Sequence, residues 1–470
     1  MTYILLRGHH FMNVKGKLWS GILAGGMVLS SFVRLFKISR EEKSMKTTRV
    51  MMSTVLFLCF LVVLVGCGSN SAGSSNDKTL TLLVEGGGPA FEVANKTAAK
   101  FEEQTGYKIK IDSVPYSGVY DKLKAEIDAK KSTHDVAIID VLWFPSLAKG
   151  LEPLGNVLTE EQMNDFLPQL NQSATINGEL LGIPTWTNSK ILLYRKDLFE
   201  DPNNQANFEK EFGYALKAPT SWKEYEDVAK FFTRNGMYGT SVFGQTGGDA
   251  VSSWLDHVTQ AGVDSLVLDR NGEVNITEEP YVQSLTFLQN LVKEKVVPED
   301  YLSIASSETA ELFNNGKLAM QLAWGHFYLS SDKALPGQVG AAPMIAGAKE
   351  MGAVPGPWYQ VVLKDSPKKD IAEQYLKFMY DQNELYMEAL GVAARKSVFE
   401  KYIDNPQYAH VKAIEATLNG AQTQNRPQIA QWSQIENEVL SPMLQKVLSG
   451  SDPTTELTLA KKQIEEILGR

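Results

Sequence analysis

Along the chain, apolar and polar positions change period in a regular way. Thr79-Leu80-Thr81-Leu82-Leu83-Val84 is a nearly continuous apolar run that stops at Glu85-Gly86-Gly87-Gly88-Pro89, the pattern of a buried strand followed by a loop. Phe91, Ala94, Ala98 and Phe101 then recur at helical spacing up to Gly106, which predicts a helix closed by a left-handed glycine. Lys108 to Asp112 alternates as a strand, Tyr120 to Lys131 is helical, and Asp135-Val136-Ala137-Ile138-Ile139-Asp140 is a second buried strand. This alternation of strand and helix predicts an α/β fold with a largely parallel sheet. Such sheets hold ligands beyond the carboxyl ends of their strands, here Glu85 to Pro89 and Asp140 to Trp143. Farther on, Asp269-Arg270-Asn271-Gly272-Glu273 is a hairpin turn, and Pro280 opens a helix with Val282, Leu285, Leu288 and Val292 on its core face. The turn is not a calcium loop, because its glycine is fourth rather than sixth and the closing glutamate is missing.

The pattern at the front of the chain is of another kind. Lys46 and Arg49 precede an apolar run from Val50 to Val65, which ends in Leu64-Val65-Gly66-Cys67. A basic start, an apolar stretch shorter than the roughly 20 residues of a spanning helix and a small-residue ending make a signal peptide. The Gly/Ser/Asn tract after the cysteine, to Asp77, is composed as a flexible tether. Residues 1–44 fit poorly with any signal peptide and are expected to be a mis-assigned extension, with translation beginning at Met45 in preference to Met51; an additional membrane segment is the alternative.

Charge and cysteine content then narrow the function. Residues 1–66 hold nine basic and two acidic side chains, leaving 37 basic against 53 acidic and a net of −16 for the rest. A body this acidic repels nucleic-acid phosphates. The chain's two cysteines, Cys59 and Cys67, both fall in the front segment, which excludes a zinc ribbon, thiol catalysis and disulfide staples from the body. No nucleotide loop, Gly-x-Ser-x-Gly or His-Glu-x-x-His motif occurs, and His134, His257, His326 and His410 are scattered. Neither catalytic residues nor a metal or cofactor site are expected. A secreted glycoside hydrolase needs only two carboxylates, however, and a pair such as Asp140 and Asp249 keeps that alternative open.

Specific segments occur in a telling order. They include Phe101-Glu102-Glu103-Gln104-Thr105-Gly106, Gly150-Leu151-Glu152-Pro153-Leu154, Gly182-Ile183-Pro184 and Leu193-Tyr194-Arg195-Lys196-Asp197-Leu198-Phe199. Pro219-Thr220-Ser221-Trp222, Phe313-Asn314-Asn315-Gly316-Lys317-Leu318-Ala319-Met320, Gly356-Pro357-Trp358 and Ala394-Arg395-Lys396-Ser397 follow. Together they resemble the extracellular solute-binding proteins of ABC importers, in particular the carbohydrate-binding family 1, over nearly the whole chain from residue 79. Leu-x-Gly-Cys likewise resembles the lipobox of bacterial lipoproteins, which implies lipidation of Cys67 and anchoring to the outer face of the cell membrane.

The resemblance implies a two-lobed, periplasmic-binding-protein-like (type II) fold whose hinge is crossed three times, with solute held in the cleft between the lobes. Crossings are expected near Thr185 to Ser189, Gln321 to Gly325 and Tyr380 to Gly391. Lobe one is then residues 78–186 plus 323–380, and lobe two is 187–322 plus 381–470. Implied partners are a mono- or oligosaccharide and permease subunits with a cytoplasmic ATPase, with the receptor itself a monomer. The same fold binding a non-sugar solute, or docking on a membrane kinase as a sensor, is an alternative.

Sugar sites pair flat aromatic rings with planar acceptors and donors. Trp143, Trp186, Trp324 and Trp358 lie in segments that border the cleft in the family. Asp140, Asn188, Gln245 and Asp249 stand beside them or in the loop Phe243 to Asp249, and Glu85 and Tyr116 complete the first lobe's share. Arg395 either bonds solute or ties the two lobes, the tie being favoured, and His326 is a weaker candidate. Trp222, at a helix start, is assigned to packing.

Overall fold

The computed structural model describes residues 78–86 and 89–470. The extension 1–44, the signal segment 45–66, Cys67 and the tether to residue 77 lie outside the described residues. Among the described residues no helix is long and apolar enough to cross a membrane.

Two sheets organise the chain. The first contains β1 (Thr79–Glu85), β2 (Lys108–Val114), β3 (Val136–Asp140), β4 (Ile183–Trp186) and β8 (Trp358–Val362), in the order β2-β1-β3-β8-β4. β1 pairs in parallel with β2 and β3, whereas β8 runs antiparallel between β3 and β4. The second sheet is antiparallel throughout, with β5 (Lys190–Arg195) between β6 (Met320–Trp324) and β7 (Val339–Ala342). The expectation of a parallel sheet therefore holds for the first sheet save its one reversed strand, and not for the second. β1 and β3 are largely apolar because both faces of the sheet are covered, Leu83 packing with Val119 and Leu123 of one helix and Leu82 and Val84 with Val93 and Phe101 of another.

The helices form where the apolar period says, with local exceptions. α1 (Pro89–Thr105) ends at Gly106, whose φ of 73° supplies the left-handed cap. Its buried stripe is Ala90, Val93, Ala94, Thr97 and Phe101, while Phe91, expected on that face, is 37% exposed. α2 (Tyr116–Ala129) packs beside β1. α3 (Trp222–Phe232) begins with Trp222 stacked on Phe287 at 4.6 Å and donating its indole N–H to Gln260 at 2.7 Å. α4 (Gly248–Ala261) and α5 (Glu279–Lys293) pack on each other, and the indole of Trp254 in α4 donates to Ser284 in α5 at 2.9 Å.

Pairing places several segments differently from the expected lobe boundaries. Residues 320–324 and 339–342 hydrogen-bond to β5 and so belong with the second sheet, although 323–380 had been expected in lobe one. Helix α6 (Glu384–Leu390) packs on α1, and the backbone N–H of Lys396 donates to Asp165 at 2.7 Å, so 384–402 sits with the first sheet. Helix α7 (His410–Leu418) packs on β5. Motif order along the chain carried no information on which strand each segment would bond to.

One titrating cluster ties the edge strand β2 to α2. The His134 ring lies 2.6 Å from Glu126 and 3.2 Å from Asp112. Burial lowers the affinity of His134 for a proton, but the bonds to Glu126 and then Asp112 outweigh it and raise its pKa above 6.5. For Glu126, burial acts upward and is outweighed by the bonds from His134 and Thr133, which bring it down to about 2. A raised histidine contributes stability that is complete below its unfolded pKa and lost as pH rises through the folded value; a lowered carboxylate contributes stability lost as pH falls through its folded value. The pair therefore stabilises most between about 4.5 and 6.5. His134→Gln is expected to cost about 1–2 kcal/mol at pH 5.5 and markedly less at pH 8.5, measured by urea denaturation at both. An equal loss at the two pH values would show that His134 is not charged in the fold.

Candidate functional site

The register of the first sheet assembles an aromatic wall at its carboxyl edge. Trp358 opens β8 opposite Asp140 on one side and Trp186 on the other, with an irregularity between Trp358 and Tyr359. Trp186 and Trp358 stack with centroids 5.3 Å apart and planes 17° from parallel. Trp143 meets Trp358 edge-on at 5.9 Å and Tyr120 at 5.8 Å, while Tyr386 backs Trp186 at 5.3 Å. Trp143 and Trp186 are buried and Trp358 is half-buried, so the wall presents chiefly the Trp358 ring. Offset stacks of this kind hold a ring in one orientation.

Carboxylates surround that wall. Asp140 ends β3, where its Oδ1 caps the next turn by accepting from Leu142 N–H at 3.0 Å, and Arg426 pairs with the same oxygen at 3.3 Å. Glu85 ends β1, whose parallel pairing with β3 sets it beside the end of that strand. Burial, and then the charges of Asp140 and Asp249, push Glu85 up to about 7. Asp249 lies in the first turn of α4, accepts from the Trp324 indole at 3.2 Å and from the Ser306 hydroxyl, and so faces the wall from the second sheet's side. Glu436, buried against Gly248 at the start of α4, is pushed up to about 7 by burial; Arg426 opposes this, while Asp140 and Asp249 add to it. Glu85 and Glu436 are weak acids poised to donate or accept near neutrality, the property needed to bond hydroxyls of either polarity.

The connection between the sheets is pinned from three sides. Thr187 N–H donates to Ala393, Gly325 N–H to Ser189 and Gly356 N–H to Asn188, each at 2.9 Å. The Asn188 side chain bonds His326 at 2.6 Å and accepts from Ser189 N–H at 3.0 Å. Burial holds the His326 pKa down to about 4, so the ring is neutral there. Gly356 is needed at its place because a Cβ would stand 2.9 Å from the Trp324 ring. Beneath that ring, at 3.9 Å, lies the ammonium of Lys190, paired with Asp256 at 3.0 Å.

Of the residues expected at the site, Glu85, Asp140, Trp143, Trp186 and Trp358 gather on the first sheet's edge, with Asp249 and Trp324 facing them. Asn188 is committed to the connection. Gln245 is exposed, and its backbone N–H donates to Ile304 at 3.0 Å. Arg395 bonds Asp165 at 2.6 Å and the Tyr380 carbonyl at 3.1 Å, and its guanidinium lies 4.1 Å over the Tyr380 ring, which is a structural tie away from the tryptophans. Tyr116 opens α2, and its side chain lies outside the described part. Sequence reasoning missed Arg426, Glu436, Lys190 and Asp256. A lysine heading the apolar run Ile191-Leu192-Leu193, and an aspartate between Leu255 and Val258 in an apolar helix, were available signals of a buried pair; Arg426 sits in a polar loop without one. No cluster of metal-ligating side chains occurs among the described residues.

The profile of the family described as bacterial extracellular solute-binding protein matches residues 86–382. A probable ABC transporter-binding protein of Deinococcus radiodurans is 22% identical over 85% of this chain and 96% of its own length. A diacetylchitobiose-binding protein of Streptomyces coelicolor is 24% identical, over 86% of this chain and 94% of its own. Among solved structures, a solute-binding protein of Thermotoga lettingae bound with α-D-tagatose superposes with a TM-score of 0.71 at 23% identity, covering 83% of this chain and 99% of that one. The maltotriose-bound maltotriose-binding protein of Thermus thermophilus gives a TM-score of 0.68 at 20% identity, covering 83% of this chain and all of that one.

Proposed function

Because the chain belongs to the bacterial extracellular solute-binding protein family, we propose that it is the receptor of an ABC importer, binding a mono- or oligosaccharide and delivering it to a membrane permease. The observation that carries the sugar reading is the Trp186–Trp358–Trp143 wall bordered by Glu85, Asp140 and Asp249. An apolar ring face beside paired acceptors matches the two surfaces of a pyranose, its C–H face and its hydroxyl rim. Relatives named for diacetylchitobiose and maltotriose support the same class. No bond of the solute is made or broken in this reading.

In it, lobe one comprises residues 78–186 and 358–402 and lobe two 190–354 and 410–470, with connections at 187–189, 355–357 and 403–409. Solute bridging the lobes favours the closed arrangement through contacts that it makes with both at once. Cys67 is the lipidated N-terminus that tethers the receptor outside the cell membrane.

The test is a thermal-shift screen of the full chain against sugars, polyols, amino acids, peptides and polyamines. A solute that binds the folded form stabilises by mass action, about 2.7 kcal/mol at a hundredfold excess over Kd. One saccharide raising the midpoint supports the proposal. Shifts confined to charged solutes would replace the sugar by another class in the same cleft.

A further inference from the structure

The segment 422–428 is anchored to one lobe and reaches to the other. Gln422 N–H donates to Met351 at 3.2 Å and Gln424 N–H to Ala353 at 3.0 Å, while the Gln424 side chain donates to Val263 at 2.6 Å. All three acceptors stand with α4 in the second lobe: Val354 N–H donates to Asp256 of that helix at 2.7 Å. The next residues turn the other way. Asn425 donates to the Ser173 hydroxyl at 3.2 Å, Gln428 to the Ser173 carbonyl at 3.1 Å, and Arg426 to Asp140 at 3.3 Å. Ser173 ends a short helix, Pro168–Ser173, that holds the first sheet through the Tyr359 hydroxyl donating to Leu170 at 3.0 Å.

We infer that Arg426 latches the two lobes by pairing with Asp140 across the cleft, so that the receptor populates its closed form before solute arrives and its solute affinity depends on this residue. The inference rests on the receptor reading for the motion and the solute, and on the geometry for the latch. Both partners of the pair are at most 7% exposed. When the lobes separate, each charge returns to water, and the desolvation cost of burying it again nearly balances the attraction it gains. A pair in such balance suits a two-state element, because neither state is favoured by much and a few solute contacts decide between them. The two amide bonds to Ser173 give the same contact a fixed direction, and Arg426 acts on affinity as a positioning residue through Asp140 and through closure.

Hydrogen exchange on the ligand-free full chain tests this, comparing wild type with Arg426→Gln, Arg426→Lys and the double variant Asp140→Asn/Arg426→Gln. The readout is the cleft segments 84–86 and 244–250, with β5 as the internal control for global stability. Faster exchange at the cleft segments in Arg426→Gln and in the double variant, with β5 unchanged and partial rescue by Arg426→Lys, is the expected result. Titration with the saccharide found in the screen should show about tenfold weaker binding for Arg426→Gln, following the closed fraction. The double variant removes both charges of the pair and so stays informative if the single one folds poorly. Unchanged exchange at the cleft segments overturns the latch, while a sugar-induced thermal shift in wild type would leave the receptor reading standing. Faster exchange with unaltered affinity overturns the link to solute. Exchange as expected without binding of any sugar keeps the latch and removes the sugar.

Discussion

Asp256→Asn is expected to destabilise the protein by about 3–5 kcal/mol, the cost of leaving an unpaired charge in the interior. Lys190 and Asp256 are each 0% exposed and stand 3.0 Å apart. Burial pulls the Lys190 ammonium down from its ordinary range and pushes the Asp256 carboxyl up, and their mutual attraction opposes both. The surroundings complete the pair: Lys190 also donates to Ser252 at 3.0 Å and lies under the Trp324 ring, and Asp256 accepts from Val354 N–H at 2.7 Å. Denaturation in urea at pH 7 measures the loss. The double variant Lys190→Met/Asp256→Leu should recover most of it, since a buried pair exchanged for apolar groups of similar volume is often neutral. A single-variant cost below about 1 kcal/mol would mean that Lys190 sheds its proton in the fold and that the pair is not ionic.

Trp358→Ala is expected to weaken saccharide binding by about 1–3 kcal/mol, or roughly 5- to 150-fold, if its ring is the platform for the sugar's C–H face. The ring is held on one side by the Trp186 stack at 5.3 Å and on the other by the Trp143 edge at 5.9 Å, which leaves little freedom to be frozen on binding. Calorimetric titration of the folded variant with the saccharide that shifts the wild type decides the matter. Equal affinity would take Trp358 out of the site. Trp358→Phe should retain part of the affinity, because a smaller ring keeps the face but covers less of the solute.

The first half of the fold was legible because its signals are local. β1, α1, β2, α2 and β3 follow directly from uninterrupted apolar runs and helical stripes, and the glycine at 106 caps where expected. Phe91 went the other way because a helical stripe has two edges, and the packing of α1 on β2, β1 and α6 decides which one is covered. Glu85 and Asp140 were legible as strand-end residues, since such sheets hold ligands beyond the carboxyl ends of their strands, whereas Trp358, which opens its strand, was reached only through the family resemblance. Arg395 and Asn188 carry the same hydrogen-bonding chemistry, yet Asp165 and His326 engage them, and neither partner is near in sequence.

What the sequence by itself determined is the class: an acidic, cysteine-free α/β body behind a signal-peptide pattern, with strand and helix alternating and aromatic and acidic residues at strand ends. Those are properties of neighbouring residues, set by periodicity and burial within one element. Tertiary structure alone decided that 320–342 returns to β5, that β8 inserts antiparallel between β3 and β4 and brings Trp358 against Trp186, and that Arg426 crosses 286 positions to reach Asp140. Strand order and ion pairing depend on which surfaces meet after the chain has folded back, and a side chain's partner is chosen by that meeting and not by its neighbours along the chain.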